Sequence, residues 1–452
     1  MKYREIICLH FVRLTVMLAF IACQRTLCLS SCARAAENTT DTRLVLADSD
    51  GPNARDVPVK PADRAASVRA LVCHLGLGEG SVTADIGAGG GRDTWVFAGI
   101  VGETGTVFTE EIEQDKVESL KAEAKKRDLK QVQPVLGRSD DPCLPLNSAD
   151  LVYMNHVYHH FARPREMLRQ IWRSLKPGGY LVVVDQHRGT LRDWVERKLR
   201  EQKHYWIAET TVVREAREEG FAFVECAEQY WHAEDDFVLV FQRPRGLQEP
   251  GQDPDPMPPI AIDKCTHLLL PVAQKYRNPV FIALGQAREL MGPILENSSG
   301  KGLEIVLEEW ATQKNERPLL PPGVSIPSVL TQQGDPNLPD EPIDAVFFLD
   351  SYHLLFHGRT LLTRLREKLS PNGCIYVLDR KAAEPLSRRE ASHHRRIQLK
   401  TVKEEMAEAG FLLWFRGPRP ARDRFLLVFG KTRSKKASAE AHVRVRADKT
   451  PN

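Results

Sequence analysis

Residues 82–91, V-T-A-D-I-G-A-G-G-G, constrain the fold of this chain more than any other stretch. The apolar start predicts a short buried strand that ends at Asp85, and the four glycines predict a turn with positive φ angles. A helix is predicted to follow from about Thr94. The free N–H groups at the start of such a helix and its positive dipole end attract an anionic group of a ligand. The stretch therefore predicts a strand–loop–helix unit that binds a nucleotide-like cofactor.

Two cofactor classes compete for this loop, and a purely structural glycine turn is a third interpretation. The dinucleotide pattern G-x-G-x-x-G needs Gly or Ala at its third site, which is Arg92 when counted from Gly87. A nicotinamide oxidoreductase is therefore disfavoured. The pattern D-x-G-x-G-x-G is met instead, by Asp85, Gly87, Gly89 and Gly91. This pattern resembles motif I of the class I S-adenosylmethionine-dependent methyltransferases.

Alternating helix and strand patterns surround the loop. The predicted helices cover residues 62–75, 116–127, 165–175 and 211–219, and the further strands cover 106–109, 131–136, 150–155, 180–184, 220–225 and 237–242. The phrase L-K-P-G-G-Y-L-V-V-V-D at 175–185 is a second resemblance to the same methyltransferases, which are of the type-11 kind. The phrases D-x-G-A-G-G-G, Y-H-H-F and D-R-F-L-L-V-F resemble, more narrowly, a predicted exported bacterial group. The resemblance covers residues 62–244. It implies an α/β, Rossmann-like fold with a mostly parallel seven-stranded sheet and helices on both faces.

The resemblance also implies which residues bind S-adenosylmethionine. The loop contributes Asp85, Gly87, Gly89 and Gly91. An acidic residue about 20 positions after the loop accepts hydrogen bonds from ribose hydroxyls, and Glu111 fits this role, with Glu110 as the alternative. Asp140, with Asp141 close behind, corresponds to the acidic residue near the adenine amino group. Asn155, at the end of the fourth strand, completes the predicted cofactor site.

Candidates for catalysis follow the fourth and fifth strands, where open α/β sheets bind ligands. The weak candidates are His159, His160 and Asp185; Asn155, His156, Tyr158 and His187 also lie in this region. Histidine titrates in a useful range, but paired histidines after a strand also serve to cap a helix or line a pocket. His156 and His160 have H-x-x-x-H spacing without a third ligand, so no metal is expected.

The chain repeats itself after residue 262. D-L-V-Y-M-N-H-V-Y-H-H-F at 150 corresponds to D-A-V-F-F-L-D-S-Y-H-L-L at 344, and F-V-L-V-F at 237 corresponds to F-L-L-V-F at 425. Such a repeat predicts tandem domains. The second copy has lost the loop: Ala283, Ala287, Arg288 and Glu289 stand for Asp85, Gly89, Gly90 and Gly91, while Gly285 and Glu309 are retained opposite Gly87 and Glu111. A degenerate fold is predicted, in which a proline-rich segment at 317–343 replaces the third-strand region.

Composition and the chain ends complete the predicted organisation. With 452 residues, 42% hydrophobic content and a net charge of +3, the chain is typical of soluble globular proteins, and nothing global points to nucleic acid. The predicted segments are a leader (1–36), a methyltransferase domain (60–244), a Pro-rich linker (245–262), a degenerate methyltransferase-like domain (263–432) and a basic disordered tail (433–452). Five scattered cysteines outside the leader suggest buried free thiols rather than disulfides or zinc.

The leader predicts export or membrane association. A basic start, an apolar run and Ala33-Arg34-Ala35 suit a secretory signal; a start at Met17 would instead leave the protein cytoplasmic. The predicted activity is methyl transfer from S-adenosylmethionine to an unidentified, small-molecule acceptor, with the first domain catalytic and the second structural. The alternative is a non-catalytic binding or scaffold protein with inherited methyltransferase folds. Cofactor binding discriminates between the two.

Overall fold

The fold was analysed in a computed structural model of the chain. It describes residues 60–186, 207, 209–246, 249–270, 276–296, 298, 302–307, 327–331, 335–336, 338, 340–355 and 358–431. The predicted leader and tail, together with His187 and Glu309, lie outside the described residues. None of the helices in the described ranges is long and apolar enough to cross a membrane.

The first half is a seven-stranded sheet with the order β3-β2-β1-β4-β5-β7-β6. Its strands are β1 (Val82–Ile86), β2 (Thr106–Glu111), β3 (Val132–Leu136), β4 (Ala149–Asn155), β5 (Leu175–Gln186), β6 (Ala222–Cys226) and β7 (Asp236–Gln242). Strands β1 to β5 are mutually parallel, and β7 pairs antiparallel with both β5 and β6. The predicted strands are all present, although β5 begins five residues early because Leu175 already pairs with Ala149 of β4; the K-P-G-G residues form an irregularity before Tyr180 pairs with Leu151.

Helices cover this sheet because their apolar residues recur on one side. They are α1 (Arg64–His74), α2 (Arg92–Val101), α3 (Gln114–Lys126), α4 (Pro164–Ser174) and α5 (Glu209–Glu218). Two clusters of buried side chains fill the space between helices and sheet, one around Phe97, Tyr153 and Val182 and the other around Met154, Ile171 and Phe241. This packing holds the carboxyl ends of β1, β2 and β4 at one edge of the sheet, where Ile86 pairs with both Glu110 and Met154.

The second half has the corresponding strand order, β10-β9-β8-β11-β12-β14-β13. Its strands are β8 (Pro279–Ala283), β9 (Leu303–Val306), β10 (Ser328–Leu330), β11 (Ile343–Leu349), β12 (Leu369–Arg380), β13 (Leu412–Arg416) and β14 (Arg424–Gly430), and its helices are α6 (Ile262–Leu269), α7 (Met291–Glu296), α8 (Gly358–Lys368), α9 (Arg388–His393) and α10 (Leu399–Glu408). The prediction that a proline-rich segment without a strand replaces the third strand is wrong. Strand β10 lies inside that segment, residues 317–343, and pairs parallel with β9 in the position of the third strand.

The predicted linker, residues 245–262, is held by charged side chains of the second half. It is therefore more than a connection between the two sheets. Arg395 contacts Asp253 at 3.0 Å, and Arg380 contacts Asp255 at 3.3 Å. Arg424 donates a hydrogen bond to the Pro258 carbonyl oxygen at 2.9 Å. Residues 253–258 of this segment therefore lie against the second half.

Helix α9 of the second half packs on strand β6 of the first half. The ring of His393 meets Phe223 edge-on, with centroids 5.1 Å apart. Beside it, the fully buried Glu209 accepts hydrogen bonds from Arg389 at 2.7 Å and contacts the His393 ring nitrogen at 2.8 Å. Glu228 also contacts Arg389, at 2.7 Å. An ion-paired interface thus joins the two halves.

The five cysteines in the described ranges are free thiols. Cys265 is buried and Cys143 is exposed, so the prediction that these thiols are buried does not hold for Cys143.

Candidate functional site

The glycine loop connects β1 to α2 and leaves open space above its middle. Gly91 caps α2 with φ +76°, and a Cβ there would lie 2.6 Å from the Trp95 ring. Gly89 also has a positive φ, +59°, but a Cβ there would meet nothing within 4 Å. The loop is therefore closed by packing at Gly91 and open at Gly89, as expected of a backbone that a ligand approaches.

Asp85 lies beneath this loop and contacts α2. It is 3% exposed and accepts a hydrogen bond of 2.6 Å from the Thr94 hydroxyl, which also contacts Thr109. Burial raises the pKa of Asp85 to about 7, with a further contribution from the charge of Asp93, and the Thr94 bond offsets only part of this rise. In the described structure, Asp85 holds the first turn of α2 in place.

Two carboxyl groups at the end of β2 hold the loop from its other side. Gly89 N donates to Glu111 Oε1 at 2.6 Å, and Gly87 N donates to Glu110 Oε2 at 3.1 Å. Glu111 is 5% exposed, and its other oxygen lies 3.8 Å from Lys116 Nζ. The predicted ribose residue thus lies directly at the open part of the loop.

Asn155 lies at the end of β4, on the opposite side of β1 from β2, and contacts the helix that follows the loop. Its amide nitrogen donates to Tyr153 Oη at 2.9 Å and lies 3.4 Å from Asp93 Oδ2, while its amide oxygen is buried without a hydrogen-bond partner. Asp93 in turn accepts two hydrogen bonds from Arg64, at 2.7 and 2.6 Å. The sequence analysis missed Arg64 and Asp93, because only the fold brings α1 to the start of α2; the position of Asp93 in the first turn of a predicted helix was the available signal.

Asp140 follows β3 and is half-buried. Its carboxylate forms an ion pair with Arg163, at the start of α4. Neighbouring Asp141 accepts a hydrogen bond from Cys143 N at 2.8 Å and so shapes the loop. In the described structure, the predicted adenine residue therefore has a cationic partner and lies apart from the contacts made by Glu111 and Asn155.

His159 and Asp185 are bonded to each other. His159 Nδ1 lies 2.9 Å from Asp185 Oδ1, and its backbone N donates to Oδ2 at 3.1 Å. In the second half, His353 and Asp379 make the same two contacts, at 2.8 and 2.9 Å. A structural role in anchoring the turn after the fourth strand explains both pairs. His160, whose ring lies 4.0 Å from that of His159, is the exposed member of the predicted catalytic group.

A second pair occurs in both halves with reversed charge. His156 has φ +57° and contacts Asp236 at 3.0 Å, and the hydrogen bond that Asp236 accepts raises the pKa of His156. The corresponding residue of the second half, Asp350, has φ +51° and pairs with the buried Arg424 at 2.8 Å. In each half, the pair joins the left-handed residue after the fourth strand to the first residue of the last strand in sequence, which is β7 in the first half and β14 in the second.

The loop region of the second half is occupied by side chains. Arg288, which stands for Gly90, pairs with Glu304 of β9 at 2.6 Å, and both residues are at least 94% buried. Gly285 keeps a positive φ of +50°. The turn is therefore preserved while the space around it contains an ion pair.

The first-half loop fits a cofactor with amine, hydroxyl and cationic groups. Asn155 Oδ1 and Glu110 Oε1 are buried acceptors without a partner, and buried polar groups in folded proteins almost always have one. Glu110 contacts Gly87 of the loop through its other oxygen, and Asn155 lies beside Asp93 in the helix that follows the loop. Within the described ranges, no group of three or more His, Cys, Asp or Glu side chains is arranged to hold a metal ion.

Comparison with known proteins gives the class of this region. The family model described as a methyltransferase domain, of type 11, matches residues 84–183, which span the loop, β2 to β4 and most of β5. This part of the chain is similar to class I S-adenosylmethionine-dependent methyltransferases, which supports methyl-transfer chemistry in general terms.

Individual solved structures are similar to about two fifths of the chain. A SAM-dependent methyltransferase from Aquifex aeolicus is 21% identical over 39% of this chain and 89% of its own, with a TM-score of 0.34. An S-adenosylmethionine-dependent methyltransferase from Mesorhizobium loti is 17% identical over 39% and 96%, with a TM-score of 0.30. An arsenic(III) S-adenosylmethionine methyltransferase from Chlamydomonas reinhardtii is 20% identical over 43% and 77%, with a TM-score of 0.29.

Proposed function

We propose that the first half of this chain is a methyltransferase that binds S-adenosylmethionine at the open glycine loop and methylates a small-molecule acceptor. The observation that carries this proposal is the open backbone at Gly89, whose amide donates to the Glu111 carboxylate, together with the buried and unpartnered amide oxygen of Asn155 at the end of β4. Glu111 would accept hydrogen bonds from the ribose hydroxyls, and Asn155 Oδ1 would accept one from the amine. The family match over residues 84–183 supports this assignment.

The chemistry requires mainly positioning by the protein. When bound, S-adenosylmethionine supplies a methyl group that its sulfonium has already activated. Rigid placement of donor and acceptor is worth on the order of 7–11 kcal/mol in favourable cases. Glu110 and Glu111 hold the loop by its amides, and Asp85 holds the helix that follows. If the acceptor must lose a proton, we propose His160 as the base, because it is exposed whereas His159 and Asp185 are bonded to each other.

We assign the second half a structural role, as a degenerate copy of the first. The corresponding strand orders, the two conserved His–Asp pairs and the two left-handed residues after the fourth strand support a common origin. The buried Arg288–Glu304 pair fills the place where a ligand would approach the loop. His393 of the second half contacts Phe223 of β6 and the buried Glu209, and these contacts support a role of the second half in stabilising the first.

Titration of the full-length protein with S-adenosylmethionine by calorimetry tests both assignments. One site is expected. Gly89→Arg should abolish binding by filling the open space, whereas Gly89→Ala should retain most of it, since Ala carries the same backbone strain without the bulk. Two equivalent sites would overturn the structural role of the second half. Binding of NAD in place of S-adenosylmethionine would overturn the cofactor assignment.

Binding without methyl transfer is the outcome that would favour the alternative, a non-catalytic binding or scaffold protein.

The proposed location is outside the cytoplasm or at a membrane, on the strength of the leader pattern at residues 1–36. Amino-terminal sequencing of the protein from its native host should find a start near Ala36. A retained Met1 or a start at Met17 would contradict export.

A further inference from the structure

Glu110 is a buried carboxyl group that the proposed function does not fully use. It is 2% exposed; Oε2 accepts a hydrogen bond from Gly87 N, and Oε1 has no partner. Successive side chains of a strand point to opposite faces, so Glu110 and Glu111 leave β2 on different sides. A buried carboxyl oxygen without a partner carries a desolvation cost that needs an explanation.

The Glu110 side chain lies between two loops of the candidate site. A Cβ on Gly137, the first residue after β3, would lie only 1.8 Å from Oε1, so the carboxyl group occupies the space beside that glycine. On its other side it contacts the first glycine of the loop that follows β1. Glu110 therefore contacts the backbone of the glycine loop on which the ligand would be placed.

The charged groups that act most strongly on Glu110 are all acidic: Glu111 beside it, Asp85 on β1 and Asp141 in the loop after β3. Burial, together with these carboxylates, raises its pKa to about 8, and the bond from Gly87 only partly offsets the rise. The carboxyl group thus holds a proton at neutral pH. A cation arriving nearby would favour its ionised form, and a neutral ligand would not.

We propose that Glu110 makes the site selective for the charge of the ligand: it is protonated in the free protein and loses that proton to solvent when a ligand with the sulfonium charge binds. This inference rests on the proposed function, because it concerns the same site. S-adenosylmethionine carries the sulfonium, and the product S-adenosylhomocysteine has a neutral thioether in its place. Ionised Glu110 would stabilise the first and add nothing to the second, so the site would favour substrate over product.

The pH dependence follows from proton linkage. At low pH, binding of the cation must expel the Glu110 proton, and this cost disappears as the pH rises through the pKa of Glu110 in the free protein. The preference for S-adenosylmethionine over S-adenosylhomocysteine should therefore increase with pH, by about threefold or more between roughly pH 6.5 and 9. The α-amino group is common to both ligands, so its own titration largely cancels in the ratio.

Calorimetry on the full-length protein provides the test. Binding enthalpies in two buffers of different ionisation enthalpy give the number of protons released, near pH 7.5. S-adenosylmethionine, and sinefungin with its protonated amine, should each release more protons than S-adenosylhomocysteine. In Glu110→Gln this excess should shrink and the affinity ratio should become nearly independent of pH. Glu113→Gln, which removes a solvent-exposed carboxylate three residues away, is the matched control and should behave as wild type.

The outcomes separate this inference from the function on which it rests. If neither ligand binds to the wild-type protein, the proposed function fails. If both ligands bind with equal proton release, or if Glu110→Gln keeps the full excess, the role of Glu110 is overturned. If Glu110→Gln does not fold, Glu110→Met, which fills the same buried space without a titratable group, takes its place in the same comparison, because Asp85 also has a raised pKa and the wild type alone does not separate the two carboxyl groups.

Discussion

Gly90 and Gly91 are neighbours in the loop, yet their surroundings differ sharply. A Cβ on Gly91 would lie 2.6 Å from the Trp95 ring at a backbone φ of +76°, whereas Gly90 has an ordinary φ and nothing within 4 Å. The left-handed conformation alone costs a residue with a Cβ about 1–2 kcal/mol. The contact with Trp95, and a second one with Leu120 at 2.9 Å, add to that cost.

We therefore expect Gly91→Ala to lower the free energy of unfolding by at least about 2 kcal/mol, and Gly90→Ala to leave it nearly unchanged. Urea unfolding followed by circular dichroism measures both. Equal stability of the two variants would mean that the loop is not packed against α2 and α3 as described.

At this scale the sequence predicted residue types better than residue roles. Gly89 and Glu111 could be picked out from the sequence, because the glycine spacing and the position of a carboxylate at the end of β2 are local features of the chain. The structure brings the two residues into contact. Arg64 and Asp93 were missed because their contact joins two helices that only the sheet brings together. His159 was given a catalytic role on position alone, and only the equivalent His353–Asp379 pair reveals the structural explanation.

Among the elements, the turn after the fourth strand is held by different charged pairs in the two halves. In the second half it is tied by Asp350 and Arg424, which are both buried. In the first half it is tied by His156 and Asp236, and the His156 side chain is 40% exposed. The charged groups that act on His156 are Asp236 and Asp185, which raise its pKa, and Arg64, which lowers it.

The first-half turn should be stabilised at low pH. Since the pKa of His156 is raised in the folded state, its contribution is complete below the ordinary histidine value of about 6.5 and is lost as the pH rises through the folded value. The pKa of Asp236 is lowered, so Asp236 stays ionised throughout this window. His156→Asn tolerates the positive φ but cannot carry charge.

The melting temperature of the wild-type protein should therefore exceed that of His156→Asn by more at pH 6 than at pH 8.5. His267→Asn, at an exposed site on α6, is the control and should show no such trend. A difference between wild type and His156→Asn that is constant with pH would contradict an ionic role for His156.

Most elements of both sheets could be predicted from periodicity and from the repeat, since apolar strands and amphipathic helices carry their own pattern. Strand β10 could not: its three residues, Ser328–Leu330, lie in a proline-rich stretch and form a strand only by pairing with β9. The start of β5 at Leu175 has the same cause, because Leu175 belongs to the strand only through its pairing with Ala149 of β4.

For the whole molecule, the decisive feature is the ion cluster around Glu209. Burial by itself raises the pKa of this carboxyl group, but His393 and Arg389 more than offset that effect and lower its pKa to about 2. Both partners belong to α9 of the second half. A buried carboxylate that loses its cation is strongly destabilised, by roughly 3–5 kcal/mol.

Arg389→Met should therefore lower the free energy of unfolding by about 3–5 kcal/mol and separate the unfolding of the two halves, which should be a single transition in the wild-type protein. Arg396→Met removes a partly exposed pair with Glu384 inside the second half, and should cost less than about 1 kcal/mol. Chemical unfolding followed by tryptophan fluorescence distinguishes one transition from two. Two well-separated transitions in the wild type would show that the halves are independent.

The position of α9 against β6 also suggests why a domain with a filled loop would persist. Strand β6 is the edge of its sheet, and an exposed edge invites pairing with other chains. Deleting the second half would uncover the Phe223 side chain of this strand and at the same time leave Glu209 without its contacts to Arg389 and His393. If the first half is insoluble without these contacts, a chain that loses the second half also loses the first, and selection retains both. A gene truncated at the linker would then encode an insoluble product even though every residue of the methyltransferase loop were intact.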